Sequence, residues 1–117
     1  MKITTEENVL AVERKSTRDP DRLPIHPGAY VREDIVGHIG MSKTQFAAAL
    51  GISRQMLHGI MAEKYPVTVE MAVRLGHVVG NGPGIWMRLQ AAHDLWHAER
   101  RVDLTKLKPL PKANIAA

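Results

Sequence analysis

Between residues 42 and 61 the chain reads Ser42-Lys43-Thr44-Gln45-Phe46-Ala47-Ala48-Ala49-Leu50-Gly51-Ile52-Ser53-Arg54-Gln55-Met56-Leu57-His58-Gly59-Ile60-Met61, and no other stretch restricts the fold as tightly. Ser42 with Gln45 forms a capping box, so a helix opens at Lys43. It can extend only about two turns, because Gly51 suits the left-handed position that closes a helix. Ser53 caps the next helix, from Arg54 to roughly Ala62. Two such short helices, joined by Gly51-Ile52-Ser53, have to cross. Close crossing needs a small residue at the contact, supplied by Ala47, and the tight turn needs a residue tolerant of positive φ, supplied by Gly51. Ile52, Leu57 and Ile60 then anchor the pair inward. The pattern is that of a helix-turn-helix.

The flanking sequence predicts three more helices. One begins at His26-Pro27-Gly28, where proline at the first helical position loses only a donor that had no partner, with Ile25 stapled onto Tyr30. Its inner stripe would be Val31, Ile35 and Ile39. Thr68 caps another, with Glu70 in its first turn and Ala72, Leu75 and Val79 on one face, ended by Gly80-Asn81-Gly82. Pro83 opens the last, which runs to about Arg100 with Ile85, Trp86, Leu89, Ala92 and Trp96 at helical spacing. Only Val67 to Val69 has strand character. The expected fold is all-α, with five helices in one domain over residues 25–100. Residues 1–24 form a flexible lead-in, in which Thr5 caps a short helix and Asp19-Pro20-Asp21 and Pro24 break the chain. Residues 101–117 form a basic tail kept extended by Pro109 and Pro111.

A chain of 117 residues has room for one small core, which makes self-association an expectation. Cysteine is absent, which excludes disulfides and thiolate chemistry and fits a reducing compartment. No apolar run reaches the ~20 residues that span a bilayer, and the N-terminus lacks a signal-peptide core, so the expected location is the cytoplasm, without membrane contact. Lysine and arginine number 16 against 12 acids, and the excess lies in residues 42–64 and 101–117. A basic surface there suits a polyanion.

The outward face of the second crossed helix sharpens that expectation. A structural surface helix more often alternates Glu and Lys, whereas here Arg54, Gln55, Met56 and His58 project outward near the N-terminus, where a groove-reading helix presents its side chains. Arg pairs bidentately with guanine and Gln with adenine. Lys43 and Thr44 open the preceding helix on the same side. A plain αα-hairpin would explain the inward positions equally well, but not this face.

Other motifs carry less. His93 and His97 share the i, i+4 spacing of a zinc hydrolase, but the acid beside them is Asp94 rather than Glu, and no third ligand follows at a diagnostic spacing. No paired carboxylates or nucleophile motif occur elsewhere. The expectation is therefore a non-enzyme with no metal, no cofactor and no small-molecule substrate. His26, His38 and His77 read as turn or surface residues, and His93 and His97 as surface residues flanking an apolar stripe. Trp86 reads as core and Trp96 as partly interfacial. Lys106, Lys108 and Lys112 read as a solvated end.

From His26-Pro27-Gly28 through Ser42-Lys43-Thr44-Gln45 and Ser53-Arg54-Gln55 to Trp86-Met87-Arg88-Leu89-Gln90-Ala91-Ala92, the sequence resembles HigA-type antitoxins within the Xre family of phage-repressor-like regulators. The resemblance covers roughly residues 25–108. His-Pro-Gly and the Pro83-x-x-Trp86-x-x-Leu89-Gln90 segment narrow it to the HigA group. It implies a lambda-repressor-like domain, a homodimer on the double-stranded operator DNA of its own operon, and neutralisation of a HigB-like messenger-RNA endonuclease toxin. The alternative is a stand-alone Xre regulator without a toxin. The chain departs from the pattern at Met56 and Gly59, outward positions often filled by polar residues, and at Gly82, where a Ser or Thr cap is usual. Dimer contacts are expected at Leu95, Trp96 and Val102, where a small core leaves apolar surface over. Residues 1–24 are expected to help engage the toxin by ordering on binding.

Overall fold

The computed structural model describes residues 21–111. The turn expected at Thr5, most of the lead-in and Lys112 lie outside the described residues. Helix α1 spans Pro27–Tyr30 and continues as a π-helical turn over Val31–Ile35. It is followed by α2 (Lys43–Leu50), α3 (Arg54–Met61), α4 (Val69–Val79) and α5 (Pro83–Arg101). The architecture is all-α, with five helices and no strand among the described residues. Val67 is a buried loop residue before the Thr68 cap and Val69 is already helical, so the strand character of that run is not realised.

Each helix begins where its local chemistry allows. Ser53 and Thr68 accept from Met56 N–H (3.0 Å) and Met71 N–H (3.2 Å). Pro27 and Pro83 stand in the first turns of α1 and α5. Gly82, at the cap position of α5, has φ 77°, a conformation that serine or threonine would adopt only under strain, which accounts for glycine there. In α1 the Val36 N–H reaches back five residues to the Val31 carbonyl (2.9 Å), so the helix widens and stops. Val31 and Ile35 are buried as expected, but Ile39 lies past the helix and packs against the core only partly.

The core gathers Tyr30, Val31, Phe46, Leu50, Leu57, Ile60, Leu75, Ile85, Trp86 and Leu89. Trp86 is fully buried and its indole N–H donates to Asn81 Oδ1 (2.9 Å), which ties α5 to the turn before it. Helices α4 and α5 pack most extensively, and α2 and α3 lie against this pair and α1. Gln90 is buried, and its Oε1 accepts from Val67 N–H (2.7 Å) while its Nε2 donates to Asp94. The second half of α5 runs on past the core: Ala92 and Trp96 are half-buried and Leu95 is 59% exposed.

Candidate nucleic-acid interface

The crossed pair α2–α3 is built from contacts local in sequence. Gln45 N–H donates to Ser42 Oγ (3.1 Å) and Ser42 N–H donates to Gln45 Oε1 (2.9 Å), completing the capping box. Gly51 adopts φ 71°, and the amides of Gly51 and Ile52 close α2 on the Ala48 and Ala47 carbonyls, each at 3.0 Å. Ala47, Leu57 and Ile60 are buried and Ile52 is partly buried against the core.

Lys43, Thr44, Arg54, Gln55, Met56 and His58 are all exposed, while the opposite side of α3, Leu57, Ile60 and Met61, faces the core. Neither α2 nor α3 carries an acid in its first turn, so the positive ends of both helix dipoles are unopposed beside these side chains. The surface combines hydrogen-bonding forks, one apolar side chain and two fixed cations, which is the chemistry that groove edges and phosphates require.

Several residues that hold this face were not assigned that role from sequence. A Cβ on Gly28 would lie 1.8 Å from the Ile60 carbonyl oxygen, so the glycine of His-Pro-Gly lets α1 seat directly on the end of α3. Arg32 donates to the Met61 carbonyl and pairs with Glu63 (3.5 Å), whose φ of 62° turns the chain away from α3. Arg74, on α4, donates to the Leu50 carbonyl (2.9 Å). Gly59, expected to point outward, is buried: a Cβ there would lie 2.2 Å from the Tyr65 ring. The His-Pro-Gly signal was visible, but nothing local marks Arg32, Arg74 or Tyr65.

His26 and His93 have structural roles. His26 is a turn residue as expected but is buried, and its Nδ1 accepts from Gly28 N–H (2.8 Å) to cap α1. His93 is half-buried rather than a surface residue, and its Nδ1 donates to the Pro24 carbonyl (2.9 Å). Pro24 itself is buried. The rings of His26, His93 and His97 meet edge to face with centroids 4.9 and 4.7 Å apart. Burial, with the adjacent His93, holds the His26 imidazole below its ordinary pKa. Asp94, the acid of the zinc-like spacing, is engaged by Gln90. No three His, Asp or Glu side chains among the described residues are arranged to hold a metal ion.

This arrangement defines a helix-turn-helix protein of the phage-repressor type. No family model matches the chain. An uncharacterized HTH-type transcriptional regulator of Escherichia coli, YddM, is 33% identical over 84 residues, which cover 72% of this chain and 88% of the relative. The antitoxin HigA of Pseudomonas aeruginosa, solved with the higBA promoter, superposes with TM-score 0.61 at 28% identity, over 70% of this chain and 98% of that one. An addiction-module antidote protein of a HigA family from Coxiella burnetii superposes with TM-score 0.61 at 30% identity and the same coverage. The chain belongs to the HigA family within the Xre-type helix-turn-helix transcriptional regulators.

Proposed function

We propose that this chain is the antitoxin of a type II toxin–antitoxin system, binding operator DNA sequence-specifically as an autorepressing homodimer and neutralising a HigB-like mRNA endonuclease. The observation that carries the DNA-binding part is the exposed N-terminal face of α3, where Arg54, Gln55, Met56 and His58 stand free of the core on a helix fixed at both ends. In this reading Arg54 and Gln55 read base edges, and Lys43 and Thr44 engage the backbone. The promoter-bound HigA relative supports the mode of binding. The relatives named above are regulators and antitoxins rather than enzymes, in keeping with a binding role. Among the described residues no helix is long and apolar enough to cross a membrane.

Titration of Arg54→Ala/Gln55→Ala against operator and scrambled duplexes tests the assignment. Each bidentate base contact is worth about 1–3 kcal/mol of discrimination, so the double variant loses most of its operator preference while fold and non-specific binding persist. Lys43→Ala instead weakens binding to both duplexes and flattens the salt dependence. Full operator preference in the double variant would show that another surface reads the DNA. The second reading is a stand-alone regulator, and the HTH-type regulator relative of E. coli supports the DNA-binding part that both readings share. Co-purification of a small basic ribonuclease with the tagged chain selects the antitoxin reading over it.

A further inference from the structure

We infer that Arg74 is a positioning residue that sets, from outside the helix-turn-helix, the angle at which α3 meets DNA. Leu50 ends α2, and its carbonyl belongs to the last turn, which has no acceptor role left inside the helix. Arg74 Nη1 donates to that carbonyl at 2.9 Å and lies 3.5 Å from the Gly51 carbonyl. The guanidinium also meets the negative end of the α2 dipole. A Cβ on Gly51 would lie 2.7 Å from the same nitrogen, so the cation is seated directly against the turn.

The other end of this link is rigid. Met71, Ala72 and Leu75 bury α4 in the core, so Arg74 projects from a helix whose position is already determined. Its side chain forms part of the wall of two clefts, one between α2 and α4 lined by Ala48, Ala49 and His77, the other beside the start of α3 lined by Ser53 and Met56. Arg74 thus ties α4 to the last turn of α2 and to the turn that leads into α3. Arg54 follows that turn directly. Releasing the turn tilts the first turn of α3, where the reading side chains stand, and leaves the remainder of the core in place.

This inference rests on the DNA-binding reading above, and the experiment separates the two. Wild type, Arg74→Ala and Arg74→Lys, as full chains well below their melting temperatures, are titrated against a duplex from upstream of the coding sequence and a scrambled duplex at several salt concentrations. Amide hydrogen exchange is followed at Gly51 and Ile52. One charge-assisted bond lost per protomer lowers the operator-over-scrambled ratio of Arg74→Ala by about tenfold or more, with scrambled-duplex affinity and its salt slope unchanged. Exchange at Gly51 and Ile52 accelerates while the amides of α5 keep their protection. Lysine, which can still donate to one carbonyl, restores part of the ratio, and it carries the test if the alanine variant does not fold. An unchanged ratio in both variants, or slow exchange retained at Gly51 and Ile52, overturns the inference. So does an equal loss on both duplexes with the salt slope reduced by about 1, which would mark a phosphate contact. If wild type itself does not distinguish the duplexes, the DNA-binding reading fails, and the exchange rates still decide whether Arg74 holds the turn.

Discussion

Gly28 and Gly59 both lie under a neighbour that leaves no room for a side chain, yet the two neighbours differ in what they can yield. The obstacle at Gly28 is the main-chain carbonyl of Ile60, which cannot move without shifting α3. Gly28→Ala therefore overpacks the α1–α3 contact at a cost of about 1–3 kcal/mol, and a small domain loses about 4–8 °C of melting temperature for each kcal/mol. At Gly59 the obstacle is the ring of Tyr65, which is 48% exposed and free to swing outward. Alanine there also gains about 1 kcal/mol of helix propensity, so Gly59→Ala melts within a few degrees of wild type. Thermal melts of both variants followed by circular dichroism check the contrast, and equal losses would refute it. The same pair shows what a sequence can convey. The caps at Ser42, Ser53 and Thr68 and the turn at Gly51 were legible because each bond closes within a few residues. Gly28, Arg32, Arg74 and Tyr65 act on backbone or side chains brought near only by the folded chain, and Gly59 was read as outward because its cover comes from a loop.

At the scale of elements, helical spacing located all five helices, but it misjudged α1, whose stripe was expected to reach Ile39. The π-helical turn over Val31–Ile35 ends that helix early, and a change of hydrogen-bond register leaves no trace in apolar periodicity. The start of α1 depends on an imidazole. His26 can accept from Gly28 only while Nδ1 is unprotonated, and burial together with His93 keeps its pKa below the ordinary 6.5. Glu63 and Asp94 act in the opposite direction and Arg32 in the same one, without reversing the shift. The unfolded chain therefore takes up this proton more readily than the folded one. The contribution of His26 to stability is complete above pH 6.5 and is lost as pH falls through the lower folded value. Melting temperatures between pH 7 and about 5, above the main carboxylate range, should fall more steeply for wild type than for His26→Asn, which caps without titrating. Parallel curves would show that the cap is not the sensitive group.

For the whole molecule, α5 is the element that outgrows the core. Leu95 and Val102 are 59% and 49% exposed, whereas Trp96 is half-buried beneath the Arg100 guanidinium, 3.7 Å from its ring centroid. Leu104, Leu107 and Leu110 extend the apolar surface along the tail. A single groove-reading helix makes few base contacts, and two-fold pairing doubles them at half-sites about 34 Å apart. Light scattering at micromolar concentration should accordingly give twice the 13.0 kDa chain mass, and Leu95→Asp/Val102→Asp should return it to one chain with operator affinity lost. Wild type at one chain mass throughout would remove this interface.

Three of the ties around α3 end on main-chain oxygens: the Leu50 carbonyl before it, the Met61 carbonyl at its end, and the Ile60 carbonyl against which Gly28 rests. A carbonyl is the same group whatever side chain its residue carries, and none of these three belongs to residues 54, 55, 56 or 58. The vocabulary of the protein is thus separate from its grammar. In the DNA-binding reading proposed above, a descendant acquires a new address in the genome by exchanging those four side chains while inheriting its architecture unaltered.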